Sequence, residues 1–222
     1  MKPTLSPRIK ICCISSVQEA HLAINYGASA LGLVSEMPSG PGVISEQLIQ
    51  EIAARVPPPI ATFLLTSKQD ITEIIDQQRR CATNTIQICD WLLTGSYEEL
   101  RLSLPGISLV QVIHVQDENS LSQALSVAPY VDAILLDSGN QALAVKELGG
   151  TGRTHNWEIS RQIREQLSIP IFLAGGLNPD NIAEAIETVA PFGLDICSGV
   201  RTNGQLDEAK LASFFTKVQK QN

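Results

Sequence analysis

Short apolar runs alternate with amphipathic stretches along most of this chain, the pattern left by buried parallel strands covered by crossover helices. Eight apolar runs read as strands, over residues 9–14, 30–34, 60–66, 85–89, 109–115, 133–137, 170–174 and 194–198. Between and after them, helical periodicity predicts helices over residues 17–26, 46–55, 70–81, 97–104, 121–127, 158–167, 180–189 and 208–218. Ser45 has the character of a helix N-cap, and Asn178-Pro179 reads as a cap followed by a first-turn proline. Eight alternating units with no break in composition predict a closed (β/α)8 TIM barrel spanning 1–222 as a single domain. Pro57-Pro58-Pro59 is a stiff connector before the third strand.

Composition narrows the partners. At 222 residues and 44% hydrophobic content, the chain can bury one large core. A formal net charge of −7 argues against nucleic acid, whose binding needs clustered cations. A small phosphorylated metabolite stays within reach, because backbone amides hold phosphate without net positive charge. Five cysteines form an odd set without disulfide-framework spacing, which fits a reducing compartment. Residues 1–10 lack an apolar signal core and no apolar run is long enough to span a bilayer, so the expectation is a cytoplasmic protein without membrane contact.

Barrel enzymes take their reacting groups from the carboxyl ends of the strands. The first strand there reads Lys10-Ile11-Cys12-Cys13-Ile14, and the sixth Leu135-Leu136-Asp137-Ser138. A thiol and a carboxylate converging from separate strands suit base and acid roles on a small substrate. Buried cysteines also serve as inert small hydrophobes, and an aspartate after a strand also caps the loop that follows. Gly175 and Gly176 after the seventh strand, with Ser198 and Gly199 after the eighth, are placed to bind phosphate, or simply to make tight turns. Gly150, Thr151 and Gly152 belong to a glycine-rich stretch in the longest connection, either a ligand-covering loop or a plain surface loop.

At these residues the chain resembles the phosphoribosylanthranilate isomerase family of tryptophan biosynthesis. Lys10-Ile11-Cys12 resembles the family's Lys-Ile-Cys-Gly, and Gly27-Ala28-Ser29-Ala30-Leu31-Gly32 its Gly-Ala-Asp-x-Leu-Gly. Asp137 matches its sixth-strand aspartate, and Gly149-Gly150-Thr151-Gly152 its Gly-Gly-Thr-Gly loop, with residues 173–179 and 195–200 similar to its phosphate-binding ends. The resemblance implies an Amadori rearrangement of N-(5'-phosphoribosyl)anthranilate, with Cys12 as general base and Asp137 as general acid. It implies no metal or organic cofactor, a small phosphorylated sugar–aromatic substrate, and a monomer or homodimer. Lys10, two residues from Cys12 on the same strand face, is the positive neighbour that would favour a thiolate.

The chain departs from the family in four places. The family's Ser-Pro-Arg-Tyr after strand two, whose arginine is expected to meet the anthranilate carboxylate, reads Gly40-Pro41-Gly42-Val43 here. Gly42 takes the arginine position, and no positive residue lies in 35–43. Its Gln-Leu-His-Gly reads Gln87-Ile88-Cys89-Asp90, which keeps Gln87 as a site candidate, while Cys13 replaces the glycine after the reactive cysteine. Arg201 stands where the family has glutamate and is a candidate compensating cation; His114 reads as structural. The altered loop keeps open a paralogous isomerase for another phosphosugar adduct, and the fold alone a non-catalytic phosphometabolite-binding barrel.

Overall fold

The strands close on themselves in a computed structural model that describes residues 7–220. Residues 1–6 and 221–222 of the expected 1–222 domain, including most of the stretch read for a signal, lie outside the described residues. The strands are β1 (Arg8–Ile11), β2 (Ala30–Val34), β3 (Ala61–Thr66), β4 (Thr85–Ile88), β5 (Ser108–His114), β6 (Ala133–Asp137), β7 (Ile171–Leu173) and β8 (Gly193–Ile196). Each pairs in parallel with its sequence neighbour, and β1 closes the ring on β8 with Ile11 opposite Ile196. The helices are α1 (Val17–Tyr26), α2 (Glu46–Ala53), α3 (Ile71–Cys81), α4 (Tyr97–Ser103), α5 (Asn119–Val127), α6 (Trp157–Gln166), α7 (Ile182–Val189) and α8 (Glu208–Gln219). Residues 201–202 and 205–206 add a small hairpin before α8. No described helix is long and apolar enough to cross a membrane.

The predicted elements are all present, with ends displaced by a few residues. Ser45 does cap α2, accepting from the Leu48 amide at 3.2 Å. Asn178 does not cap α7. Its side chain accepts from the Asp180 amide at 2.8 Å, closing a local turn, so the helix starts at Ile182.

Strand parity explains where the chemistry lies. Successive side chains on a strand point to opposite faces, so one set of each strand meets the helices and the other fills the barrel. Ile9, Ile11, Leu31, Leu33, Ile86, Ile134, Leu136, Leu194 and Ile196 join the helices in the larger core. The opposite parity, including Cys12, Ala30, Val34, Phe63, Leu65, Val110, Val112, Ala133, Leu135 and Phe172, forms a separate inner core. Phe63 packs edge-on against Phe172, and Phe172 against Phe192. Lys10, Gln87, Asp137 and Asp195 share that inward parity and are buried. The inner core is therefore aromatic in part, and polar at its carboxyl end.

Candidate active site

One cleft at the carboxyl-terminal mouth gathers Cys12, Gln87, Asp137, Gly150, Thr151, Gly152, Gly175, Gly176 and Ser198, and adds Cys13, Asp195 and Cys197. Cys12 follows β1 directly and keeps its ladder, with its amide donating to Ile196 O at 2.8 Å. Asp137 ends β6, on another wall of the same cleft.

Lys10 is fully buried and bonded to Asp195 Oδ2 at 2.8 Å, with its ammonium 5.1 Å from the Phe63 ring centroid. A buried charge is tolerable only when paired in this way. Burial pulls the Lys10 ammonium down, but Asp195 and the nearby Cys12 more than offset it, so Lys10 is held above the ordinary lysine range. Gly32 brings Lys10 and Cys12 together: a Cβ there would meet Cys12 Sγ at 2.7 Å and Lys10 Nζ at 3.0 Å. A permanent cation thus sits beside the thiol across a residue with no side chain. Two side-chain oxygens in the barrel, the amide Oε1 of Gln87 and the carboxylate Oδ1 of Asp195, are buried without a protein partner.

Asp137 accepts from the Ser138 amide at 2.7 Å through Oδ1. No lysine or arginine among the described residues pairs with it. Its Oδ2 lies under the loop between β6 and α6, where a side chain on Gly149 would come to 2.7 Å from that oxygen. The same loop meets the β2 loop over the mouth: Ser39 Oγ donates to Lys146 O at 2.7 Å, and a Cβ on Gly150 would reach Pro41 at 2.6 Å. The glycine-rich stretch is therefore a cover pressed against both Asp137 and the opposite loop. Beneath it, burial pushes the His155 imidazole down to about 4 against the opposing pull of Asp137. His155 is thus neutral at physiological pH, with Nε2 2.7 Å from Ser160 Oγ.

The turns after β7 and β8 converge with that cover. Gly176, at φ +62, leaves a gap that a Cβ would fill to within 2.6 Å of the Arg153 backbone. Gly199 touches Leu177 even more closely, since its Cβ would stand 2.1 Å from Leu177 O. Gly199 therefore backs the cleft rather than lining it, while Ser198, Gly175 and Gly176 face it. Three backbone segments with no bulky side chains meet at this end, the geometry in which amides reach an anion.

Arg201 does not reach this cleft. It is buried, its guanidinium donating to Glu19 at 3.0 Å, to the Cys13 carbonyl at 2.5 Å and to the Cys12 carbonyl at 3.2 Å. Both terminal nitrogens of the guanidinium are engaged with Glu19 and backbone carbonyls away from the cleft lining, so it is not the compensating cation that the sequence suggested. Two cations near the rim lie on the β6–α6 loop, and both are paired, Lys146 with Asp90 at 2.5 Å and Arg153 with Glu147. His114 is structural, with Nε2 3.1 Å from Cys89 O.

Two residues at the mouth were not singled out by the motifs, Asp195 and Cys197. Asp195 could have been found from Lys10, since a lysine on an inward strand position demands a buried anion. Cys197 lies 2.7 Å from Cys13, thiol to thiol. Cys13 takes φ 61, a left-handed backbone that glycine adopts without strain. Its side chain occupies the space beside the β2 loop: a Cβ on Gly42, itself at φ +83, would stand 2.5 Å from Cys13 Cβ.

Residues 9–217 match the family model described as N-(5'-phosphoribosyl)anthranilate (PRA) isomerase. The chain is 35% identical over 214 residues to N-(5'-phosphoribosyl)anthranilate isomerase 2 of Methanosarcina mazei, covering 96% of this chain and 94% of that one. Among solved structures, the phosphoribosyl anthranilate isomerase of Thermococcus kodakaraensis superposes with a TM-score of 0.79 at 26% identity, over 96% of this chain and 99% of that one. A phosphoribosyl anthranilate isomerase solved with reduced 1-(o-carboxyphenylamino)-1-deoxyribulose 5-phosphate gives 0.76 at 26% identity, over 96% and 99%.

Proposed function

The chain belongs to the N-(5'-phosphoribosyl)anthranilate isomerase family, an isomerase family of tryptophan biosynthesis, and from that premise we propose how its own residues carry the reaction. The reaction isomerises N-(5'-phosphoribosyl)anthranilate, an aminoaldose, to the corresponding 1-deoxyribulose phosphate, an aminoketose. Two proton transfers are needed, one to the ribose ring oxygen and one from the adjacent carbon.

Asp137 is the acid in this reading. Its Oδ1 is occupied by the Ser138 amide, which leaves Oδ2 under the covering loop to deliver a proton to the ring oxygen. No lysine or arginine among the described residues pairs with it, and the loop covers it. Cys12 is the base, removing the proton from the carbon next to the opened anomeric centre. The Lys10 ammonium lies beside it across Gly32 and takes no part in the transfer. The single observation that carries this reading is the presence of Cys12 and Asp137 on different walls of one covered cleft.

The substrate's phosphate is held, on this reading, by Gly175, Gly176 and Ser198, with Gly199 shaping the turn behind them. Gly150, Thr151 and Gly152 close over the sugar. Gln87 Oε1 and Asp195 Oδ1, unpartnered inside the barrel, accept from the sugar hydroxyls or the bridging amine. The test is growth of a tryptophan auxotroph that lacks this isomerase. The gene restores growth without tryptophan on this account, and an abundant, folded product that leaves the strain auxotrophic would overturn it.

A further inference from the structure

Cys13 and Cys197 stand at the seam where β8 and β1 close the barrel. Their strands are paired with Ile11 opposite Ile196, which puts Cys197 level with Cys12 and one residue short of Cys13. Strands about 4.8 Å apart with an offset of one residue, about 3.3 Å, keep the two Cα atoms at roughly 6 Å, within the separations that disulfides span. The sulfurs are already 2.7 Å apart, both thiols are free, and a bond at ~2.05 Å asks less than ~1 Å of further approach. The residue at position 13 is also held in a left-handed backbone, at φ 61, which is strained for a non-glycine residue. The proposed proton transfers make no use of either sulfur.

We propose that Cys13 and Cys197 are a redox modification site, closing to a reversible disulfide across the barrel seam when the protein meets a small organic disulfide. Cys197, the more exposed of the two and a lining residue of the cleft, attacks first. Its Sγ forms a mixed disulfide as one thiolate of the reagent leaves. Cys13 then loses its proton to solvent, attacks Cys197 Sγ and releases the second thiolate. Two protein thiols are oxidised to one disulfide, and one reagent disulfide is reduced to two thiols. The order agrees with the local electrostatics: the contact with Cys13 draws the Cys197 thiol down against its burial, helped by Arg201. Hydrogen bonding to Cys12 and Cys197, together with burial, holds Cys13 well above the ordinary thiol range.

Cys12 is the competitor, because it neighbours Cys13 in sequence and touches its thiol electrostatically. The experiment is therefore to treat the folded full-length protein with oxidised glutathione, block remaining thiols, digest with trypsin and identify linked peptides by mass spectrometry. The expected product joins peptide 11–55 to peptide 165–201, lighter by two hydrogens than the reduced pair, and disappears on reduction. It persists in Cys12→Ser and vanishes in Cys197→Ser and in Cys13→Gly. Glycine suits the φ of 61 at that position, so this variant keeps the fold, which circular dichroism checks. A link that vanishes in Cys12→Ser but survives in Cys13→Gly would overturn the assignment, as would stable mixed disulfides with glutathione and no linked peptide.

Discussion

Lys10 and Asp195 meet at 2.8 Å inside the barrel, 185 residues apart in sequence, and the ammonium of that pair faces the same small space beside Gly32 as the Cys12 thiol. This places a cation that does not titrate near neutrality next to the base. Lys10→Met should lower kcat with little change in KM, because the base loses the charged neighbour that sits beside it across Gly32. It should also strip a buried aspartate of its partner, which typically costs about 3–5 kcal/mol. Chemical denaturation separates the two effects. Lys10→Met/Asp195→Asn recovers much of the stability but not kcat, whereas recovery of both would reduce the lysine to a structural role.

Gly42 and Cys13 exclude a simple return to the family's loop. An arginine at position 42 needs a Cβ where Cys13 Cβ stands 2.5 Å away, on a backbone at φ +83. Gly42→Arg alone is expected to destabilise the protein by about 1–3 kcal/mol, the range for overpacking. Cys13→Gly/Gly42→Arg removes the collision and should lose less than Gly42→Arg does, a non-additivity that a double-mutant cycle in urea measures. Strict additivity would show that the two positions do not compete for space.

His155 makes stability depend on pH. Its folded value of about 4 lies below the ordinary 6.5, so the unfolded chain takes up a proton that the folded chain refuses. Stability is therefore unaffected by this group above 6.5, falls as pH drops from 6.5 toward 4, and levels off below. Each unit of difference is worth about 1.4 kcal/mol. In His155→Gln the fall between pH 6.5 and 4 should be shallower by urea denaturation, whatever the variant's stability at pH 8. An unchanged slope would mean that the imidazole is not excluded from water.

The barrel was legible because parallel strands covered on both faces are continuous apolar runs, and eight of them alternate with helices. The placement of Cys12 and Asp137 at the mouth was legible too, since strand ends and inward parity put them there. Three features were not. The Lys10–Asp195 pair, the Cys13–Cys197 contact and the Arg201 grip on Glu19 each join residues more than 180 positions apart, across the seam that closure creates. A local pattern carries no record of that closure. Arg201 misled for this reason: its charge was visible, but the partner that consumes it lies on α1, at the other end of the chain.

The central claim, that Cys12 and Asp137 act as base and acid on a substrate anchored elsewhere, is tested most directly by steady-state kinetics. Turnover of N-(5'-phosphoribosyl)anthranilate is compared for the unaltered protein, Cys12→Ser and Asp137→Asn, alongside the inhibition constant of inorganic phosphate for each. A positioned acid or base contributes about 10²–10⁴-fold in rate. Each substitution should therefore lower kcat by about that factor while phosphate inhibition changes less than about threefold, because the anchoring turns are untouched. A kcat within about tenfold of the unaltered protein for either variant would contradict the assignment of that residue.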